Sequence, residues 1–287
     1  MAPASTALAA PPAPVHPVGR LLRTGRPLVC GILNVTPDSF SDGGRFLGVD
    51  RAVEHGLRLA AEGADLIDVG GESTRPGARP TTVAEELERV EPVVAALARR
   101  VSVPLSIDTS RPEVMRAAVA AGAGMVNDVR ALRRPGALAA AAELGVPVCL
   151  MHMQGSPGSM QRAPRYGDVV AEVRDFLAER LRACRRAGVL DEHLVVDPGF
   201  GFGKTLAHNR ALLAGLRDLQ ALGVPVLVGL SRKSMVGQLT GRAVEDRLPG
   251  SLAAAVLAAQ RGAAVLRVHD VAATRDALAV LDAVGMV

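Results

Sequence analysis

The stretch Leu28-Val-Cys-Gly-Ile-Leu-Asn34 is a short apolar run that ends abruptly on a compact polar residue. Seven further runs end in the same way, and helix-like stretches rich in Ala, Leu, Glu and Arg separate most of them. Parallel strands buried on both faces have this character, and helices must connect them. The pattern predicts an α/β fold, a single (β/α)8 TIM barrel, with its active site at the carboxyl ends of the strands. The residues at these ends are Asn34, Asp68, Asp108, Asn127, His152, Asp197, Ser231 and His269.

Composition limits the classes of protein to consider. The 287 residues are enough for one large barrel, and the hydrophobic content of 49% indicates a globular chain. The net charge of +4 suits small anionic substrates, whereas an aromatic content of 2% offers no stacking platform for nucleic acid. The cysteines Cys30, Cys149 and Cys184 lack CxxC spacing, which predicts buried thiols in a reducing compartment.

The amino-terminal segment differs from the rest of the chain. Residues 1–17 contain no Lys or Arg and are interrupted by Pro11, Pro12 and Pro14, unlike a signal peptide. We predict a disordered extension over residues 1–19 and one barrel domain over residues 20–287. The sequence has no uninterrupted apolar stretch of about 18 residues, so we expect no membrane association and a cytoplasmic location.

The segment Asp197-Pro-Gly-Phe-Gly-Phe-Gly-Lys204 resembles a nucleotide-binding loop only superficially. A P-loop would need glycine where Pro198 stands, and a dinucleotide motif would need glycine where Lys204 stands. What remains is a carboxylate at a strand end, followed by a loop that carries Phe200 and Phe202. The alternative for Asp197 is a helix cap or a hydrogen bond within its own loop.

Asp108 and Asn127 end adjacent predicted strands, and Asp197 ends another. Together they offer acceptors and an amide to one heterocycle, because a carboxylate accepts two parallel N–H donors in a fork geometry. The alternative for each residue alone is a structural role at the rim of the barrel.

Arg267 and His269 stand two residues apart at the end of the last predicted strand, so their side chains share a face. A guanidinium offers a planar fork to phosphate. The preceding loop, Ser231-Arg232-Lys233-Ser234, adds two cations and two hydroxyls, and the loops after strands 7 and 8 commonly bind phosphate in this fold. The alternatives are a buried salt bridge for Arg267 and a solvated run of charge for the loop.

Metal and nucleophile signals are weak. Asn34 supplies a neutral oxygen that suits Mg²⁺, but no dense group of carboxylates accompanies it. His152 is interpreted as a core residue. The sequence carries no serine nucleophile elbow, catalytic cysteine pair or zinc-protease motif. These observations favour a reaction that depends on positioning and leaving-group stabilisation.

The chain resembles the bacterial dihydropteroate synthase family over about Leu28–Val284, with its motifs in family order. The stretches that carry the resemblance are Leu33–Gly44, Ile67–Ala78, Ser106–Ser110, Val126–Arg130, Leu150–Gly155, Asp197–Lys204, Ser231–Gly237 and Arg267–Val271. The resemblance implies a pterin-binding barrel that joins 6-hydroxymethyl-7,8-dihydropterin diphosphate to p-aminobenzoate. The step would be SN1-like, without a protein nucleophile.

The resemblance also implies a role for individual residues. The pterin site would contain Asp108, Asn127, Asp197, Lys233 and Arg267. The diphosphate site would contain Asn34, Arg75, Arg267 and His269, with Mg²⁺ held at Asn34. The p-aminobenzoate site would contain Thr74, Arg75, Pro76, Phe202, Lys233 and Ser234. The residues closest to catalysis would be Asp108, Lys233 and Arg267.

The same resemblance implies a homodimer and ordinary sensitivity to sulfonamides. Two alternatives stay open at this stage. One is a corrinoid-linked methyltransferase that binds methyltetrahydrofolate and needs no diphosphate clamp. The other is a catalytically silent paralogue that binds pterin.

Overall fold

The computed structural model describes residues 16–36, 44–73, 79 and 81–285, with the backbone alone for residues 44–47. Its centre is a sheet of eight parallel strands in the order β6-β5-β4-β3-β2-β1-β8-β7. The strands are β1 Leu28–Asn34, β2 Leu66–Gly70, β3 Leu105–Asp108, β4 Met125–Asp128, β5 Val148–Met151, β6 Leu194–Asp197, β7 Leu227–Val228 and β8 Val265–Val268. An isolated bridge between Val196 and Val226 joins the last two neighbours, β6 and β7. The predicted (β/α)8 TIM barrel is confirmed.

Helices follow each strand and cover the outside of the barrel. They are α2 Gly44–Ala61, α3 Val83–Ala98, α4 Pro112–Ala120, α5 Ala137–Leu144, α6 Val169–Arg186, α7 Leu206–Ala214, α8 Ser234–Thr240, α9 Leu248–Gln260 and α10 Val271–Ala283. Local sequence explains where several begin. Thr82 and Glu85 form a capping box at the start of α3, and the Asp168 carboxylate accepts from two backbone amides at the start of α6.

Strand β7 is much shorter than the apolar run Pro225–Leu230 from which it was predicted. Pro225 has no N–H to donate to a ladder, and Gly229 weakens strand pairing. The regular part of the strand is therefore confined to Leu227 and Val228.

The interior of the barrel is apolar at its amino end and polar at its carboxyl end. One buried cluster includes the strand residues Leu66, Met125, Val195 and Val265. Side chains two positions apart on a strand share a face. The same inward face therefore carries the residues that follow these by two: Asp68, Asn127, Asp197 and Arg267. The register of the strands thus concentrates the polar strand ends in one place.

A short helix, α1 Pro17–Leu21, packs against the amino end of the barrel. Its Val18 and the following Leu22 belong to the same buried cluster as Leu28 and Met125. His16 caps the helix by accepting a hydrogen bond from the Val18 amide. The predicted boundary between residues 19 and 20 therefore lies inside a helix, and residues 16–19 are part of the folded domain. Residues 1–15 lie outside the described residues.

All three cysteines are buried and unbridged, as predicted. Burial raises the pKa of each thiol, which keeps the cysteines in their neutral form. They therefore act as small apolar side chains.

We expect Leu22→Ala to lower the free energy of unfolding by roughly 2 kcal/mol or more, because truncation leaves a cavity at the end of the barrel. Arg20→Ala, an exposed position on the same helix, should change it by less than about 0.5 kcal/mol. Urea unfolding of the two variants measures the difference. Equal effects would contradict the packing of α1 on the barrel.

Candidate active site

A cavity of about 710 Å³ opens at the carboxyl ends of the strands. Seven residues predicted from the sequence line it: Asn34, Asp108, Phe202, Lys233, Ser234, Arg267 and His269. Asn127 and Asp197 are buried and lie in the same inward-facing set of strand ends. The remaining predicted site residues, Thr74, Arg75 and Pro76, lie outside the described residues.

Arg267 is held by two carboxylates inside the barrel. Its Nε donates to Asp68 Oδ2 at 2.6 Å, and its Nη2 donates to Asp108 Oδ2 at 3.0 Å. Burial opposes the charge on Arg267, but Asp68 and Asp108 together raise its pKa. The buried salt bridge considered as an alternative is therefore present, and the same guanidinium also lines the cavity.

Asp68 was predicted at a strand end, but no role in the site was assigned to it from the sequence. It is 1% exposed, and its Oδ2 accepts from Asn127 Nδ2 at 3.0 Å as well as from Arg267. One carboxylate oxygen therefore orients two residues of the predicted pterin site. The available signal was its position, since Asp68 ends the second apolar run just as Asp108 ends the third.

Asp108 is the second partner of Arg267. Burial raises its pKa to about 7; Arg267 opposes this rise and Asp68 adds to it. The carboxyl group therefore holds a proton more readily than an exposed aspartate does.

Asp197 binds its own loop. Its Oδ1 accepts from the Gly199 amide at 2.7 Å, which is the loop hydrogen bond considered as an alternative. Burial raises the pKa of Asp197, and the charge of Lys233 opposes that rise. The carboxylate and the ammonium therefore influence each other across the site.

Lys233, at the start of α8, faces the same loop. Its Nζ donates to the Phe200 carbonyl at 2.5 Å and lies 4.8 Å from the centre of the Phe202 ring. Burial lowers the pKa of Lys233 to about 8, and Asp197 opposes the decrease. Such an ammonium loses little hydration when a substrate covers it, because it is already largely desolvated.

Arg232, the neighbour of Lys233, is engaged elsewhere. It has a φ of +58°, and its guanidinium donates to both oxygens of Asp270, with Nε–Oδ2 at 3.1 Å and Nη2–Oδ1 at 2.5 Å. Arg232 reaches the cavity wall, but its charge is already paired. The segment Ser231–Ser234 is therefore a structured loop rather than a solvated run of charge.

His269 connects the loops after β7 and β8. Its backbone amide donates to Ser231 Oγ at 3.2 Å, and its Nδ1 lies 3.0 Å from the same oxygen. This places an imidazole and a hydroxyl side by side near Arg267, an arrangement that suits a phosphate group.

His152 has a structural role, as predicted. It is 6% exposed, and its ring packs edge-on against Phe176 with 4.9 Å between centroids. Burial lowers its pKa to about 3, and the charge of Lys204 contributes. The ring is therefore neutral across the physiological pH range.

Within the described residues the protein carries neither a ready-made metal cluster nor a membrane-spanning helix. Across residues 16–36, 44–73, 79 and 81–285, no three His, Cys, Asp or Glu side chains are grouped so as to hold a metal ion. No helix within the described part of the chain is long and apolar enough to cross a membrane.

Comparison with known proteins agrees with this geometry. Residues 30–269 match the family described as pterin binding enzyme. That range covers most of the 287 residues. The chain therefore belongs to the pterin binding enzymes.

Individual relatives define the family more closely. The dihydropteroate synthase of Escherichia coli K12 is 55% identical over 265 residues, which are 92% of this chain and 94% of the relative. That of Haemophilus influenzae is 50% identical over 257 residues, 90% of this chain and 94% of the relative. Within the pterin binding enzymes, this chain belongs to the dihydropteroate synthase family, and it is a transferase.

Solved structures show the same likeness. A Xanthomonas albilineans dihydropteroate synthase with 4-aminobenzoic acid is 63% identical, with a TM-score of 0.87 over 91% of this chain and 94% of that one. A structure of the enzyme from the same organism in complex with 7,8-dihydropteroate is 60% identical, with a TM-score of 0.84 over 91% and 95%.

We expect Asp68→Asn to weaken pterin binding about 10-fold to 100-fold, because an amide replaces the charged partner of Arg267 and a charge-assisted hydrogen bond is lost. Calorimetric titration with a pterin measures the effect. Asp65→Asn is the matched control, since Asp65 pairs with Arg26 and Arg275 in the turn before β2, at the opposite end of the barrel. If both variants bind pterin like the parent, Asp68 does not orient the site.

Proposed function

We propose that this chain condenses 6-hydroxymethyl-7,8-dihydropterin diphosphate with p-aminobenzoate, giving 7,8-dihydropteroate and diphosphate in folate biosynthesis. The observation that carries the proposal is one cavity in which hydrogen-bonding groups for a heterocycle adjoin cations for an anion. The complexes of the Xanthomonas albilineans enzyme with 4-aminobenzoic acid and with 7,8-dihydropteroate support it.

The pterin would bind at the inner end of the cavity. Its guanidine-like edge presents parallel N–H donors, which the Asp197 carboxylate can accept in a fork geometry. Asn127 can both donate and accept, and Asp68 fixes its orientation. Asp108 and Lys233 complete the set, while the flat guanidinium of Arg267 suits contact with the pterin ring.

The diphosphate would lie at the outer end, towards Arg267, His269 and Asn34. Bond breaking between the pterin methylene carbon and the diphosphate oxygen leaves the electron pair on oxygen and a cation on the pterin. Arg267 stabilises the departing charge, and its two carboxylate partners hold it in place beforehand. Asp108 and Asp197 stabilise the cationic pterin. From the family resemblance we assign the closest catalytic roles to Asp108, Lys233 and Arg267.

The nitrogen lone pair of the arylamine would then form a bond to the methylene carbon, and the charged nitrogen would pass one proton to solvent. Phe202, Lys233 and Ser234 border the part of the cavity that would hold its ring and carboxylate. Thr74, Arg75 and Pro76 remain predicted contributors, with Arg75 also serving diphosphate. A sulfonamide, which resembles the arylamine, would compete for the same place. A Yersinia pestis dihydropteroate synthase has been solved as a sulfonamide drug complex.

We also propose Mg²⁺ as the cofactor, because Asn34 offers a neutral oxygen to the cavity where the diphosphate would lie. A bound Mg²⁺ supplies neutralisation of the leaving diphosphate. Asn34 alone makes a weak site for a metal without its ligand. The residues present therefore fit an ion that arrives with diphosphate.

A homodimer in the cytoplasm is the proposed state of the chain. Val280 and Val284 of the last helical segment are 67% and 64% exposed, and Leu257 on the neighbouring helix α9 is 39% exposed. These apolar side chains lie away from the cavity and support self-association there. We expect small-molecule substrates to be its other partners, with no role for nucleic acid or a membrane.

The anion-binding groups distinguish the proposed reaction from the alternatives. A corrinoid-linked methyltransferase needs no diphosphate site, yet Arg267, His269 and Ser231 converge at the mouth of this cavity. A silent pterin-binding paralogue would bind substrate without turnover. All three hypotheses are tested by one assay. The protein is incubated with pterin diphosphate and p-aminobenzoate, and the release of diphosphate is followed. A folded protein that releases no diphosphate would contradict the proposal.

We expect turnover to require added Mg²⁺, and dialysed protein to hold much less than one Mg²⁺ per chain. The physical reason is that Mg²⁺ keeps its waters and binds chiefly through one or two protein ligands plus substrate phosphates. Metal analysis and the diphosphate-release assay with and without a chelator give the two measurements. A stoichiometric ion that survives chelation would contradict a site completed by diphosphate.

We expect Lys233→Ala to lower kcat/KM by about 100-fold or more, which is about 2.7 kcal/mol of transition-state stabilisation. Arg232→Ala should cost less, because its charge is paired with Asp270 whereas Lys233 faces the cavity. Steady-state kinetics, with melting curves for both variants, compares them. The proposed placement fails if Arg232→Ala is the poorer enzyme at equal stability.

A further inference from the structure

The β6 loop, Gly199–Gly203, has every one of its carbonyls bonded to a side chain. The donors to residues 199 to 203 in order are Lys204 Nζ, Lys233 Nζ, Gln161 Nε2, Lys204 Nζ and Tyr166 OH. Backbone groups in a buried irregular loop must find such partners or lose free energy. Side chains rather than a regular element therefore determine the shape of this loop.

Lys204 provides two of these five bonds. Its Nζ lies 2.9 Å from the Gly199 carbonyl, 3.1 Å from the Phe202 carbonyl and 2.9 Å from His152 Nδ1. An ammonium has three N–H donors, so these contacts use all of them. The side chain is 3% exposed, and its near partners are all uncharged.

Burying an ammonium among uncharged partners costs free energy, so Lys204 is a poor choice for a position that needs only packing. Burial lowers the pKa of Lys204 to about 7, and Asp197 only partly offsets that effect. An apolar residue of similar length would avoid the desolvation. What Lys204 provides in return for this desolvation is a fixed loop geometry, because its ammonium holds the Gly199 and Phe202 carbonyls.

The β6 loop has little freedom to relax in another way. Gly199 has a φ of +68°, and a Cβ there would lie 1.9 Å from the His152 carbonyl. Gly203 has a φ of +62°, and a Cβ there would lie 2.5 Å from the Gln154 carbonyl. The loop thus lies directly on the backbone that follows β5, and Lys204 joins the two segments through His152.

The residues that Lys204 fixes are next to functional groups of the cavity. The Phe200 carbonyl accepts from Lys233 between the two carbonyls that Lys204 holds, and the Phe202 ring lies under the Lys233 ammonium. A shift of this loop would therefore move both Phe202 and Lys233.

We propose that Lys204 is a positioning residue for the arylamine substrate, acting by holding the β6 loop so that Phe202 and Lys233 keep their places. The inference rests on the proposed function, because it concerns the arylamine part of that site. Lys204 touches neither substrate in this assignment, and its effect passes through the carbonyls of Gly199 and Phe202.

The test is Lys204→Met, assayed with p-aminobenzoate and pterin diphosphate. We expect the KM for p-aminobenzoate to rise about tenfold, which is about 1.4 kcal/mol. Calorimetric affinity for pterin diphosphate should fall by a smaller factor than the arylamine KM rises, because Asp68, Asp108, Asn127 and Arg267 are bonded to one another and not to this loop. Lys204→Gln should restore part of the loss, because an amide keeps two N–H donors.

Arg275→Met is the matched control. Arg275 is also a cation that donates to a loop carbonyl, that of Gly63 at 2.6 Å, but in the turn that precedes β2 at the other end of the barrel. It should change the melting temperature and leave the arylamine KM unchanged. If Lys204→Met does not fold, Lys204→Gln alone must raise the arylamine KM relative to this control.

The outcomes separate this inference from the proposed function. A parent protein that neither binds pterin diphosphate nor releases diphosphate refutes the proposed function. An active parent whose Lys204→Met variant keeps its arylamine KM, or loses activity only in proportion to its loss of folded protein, refutes the role of Lys204 alone.

Discussion

The ion pair between Asp68 and Arg267 is the interaction on which the site depends. A guanidinium inside a barrel is tolerated only when carboxylates compensate its desolvation, and Asp68 is buried beside it at 2.6 Å. The same carboxylate holds Asn127. Strands β2 and β8, which flank β1, are thereby joined through their side chains. The residues proposed to bind the pterin and the diphosphate are therefore oriented together.

Strand alternation explains how much of this was predictable. An apolar run that ends on a polar residue places that residue inside the mouth of a barrel, so Asp108, Asn127 and Arg267 could be found from the sequence. The contacts among them could not be predicted, because Asp68 and Asp108 end their runs identically. Only the structure shows that Asp68 is the more enclosed, with 1% of its side chain exposed against 18% for Asp108. Helix α1 was not predicted, because its five residues are too few to show a helical pattern of apolar positions.

The two neighbours Arg232 and Lys233 show a second limit of sequence interpretation. Both are cations in one loop, yet the left-handed backbone at Arg232 turns one charge to Asp270 while the other enters the cavity. Lys204 shows the same limit. Its position in the motif rules out a dinucleotide-binding loop, but the sequence does not reveal that its ammonium donates to the Gly199 and Phe202 carbonyls. The three cations therefore have different environments: Lys233 faces the cavity, Arg232 pairs with Asp270, and Lys204 donates to buried carbonyls.

The shortness of β7 has a consequence for how substrate and fold affect each other. The ring is most weakly hydrogen-bonded between β6 and β7, where an isolated bridge replaces a ladder. Asp197 ends β6, and Lys233 follows β7 at the start of α8; both are proposed to bind the pterin. A ligand that binds both residues would connect β6 and β7 where their backbone hydrogen bonds are fewest, and a ligand that binds only the folded chain stabilises it by mass action. Binding of such a ligand and folding of the barrel would therefore be thermodynamically linked.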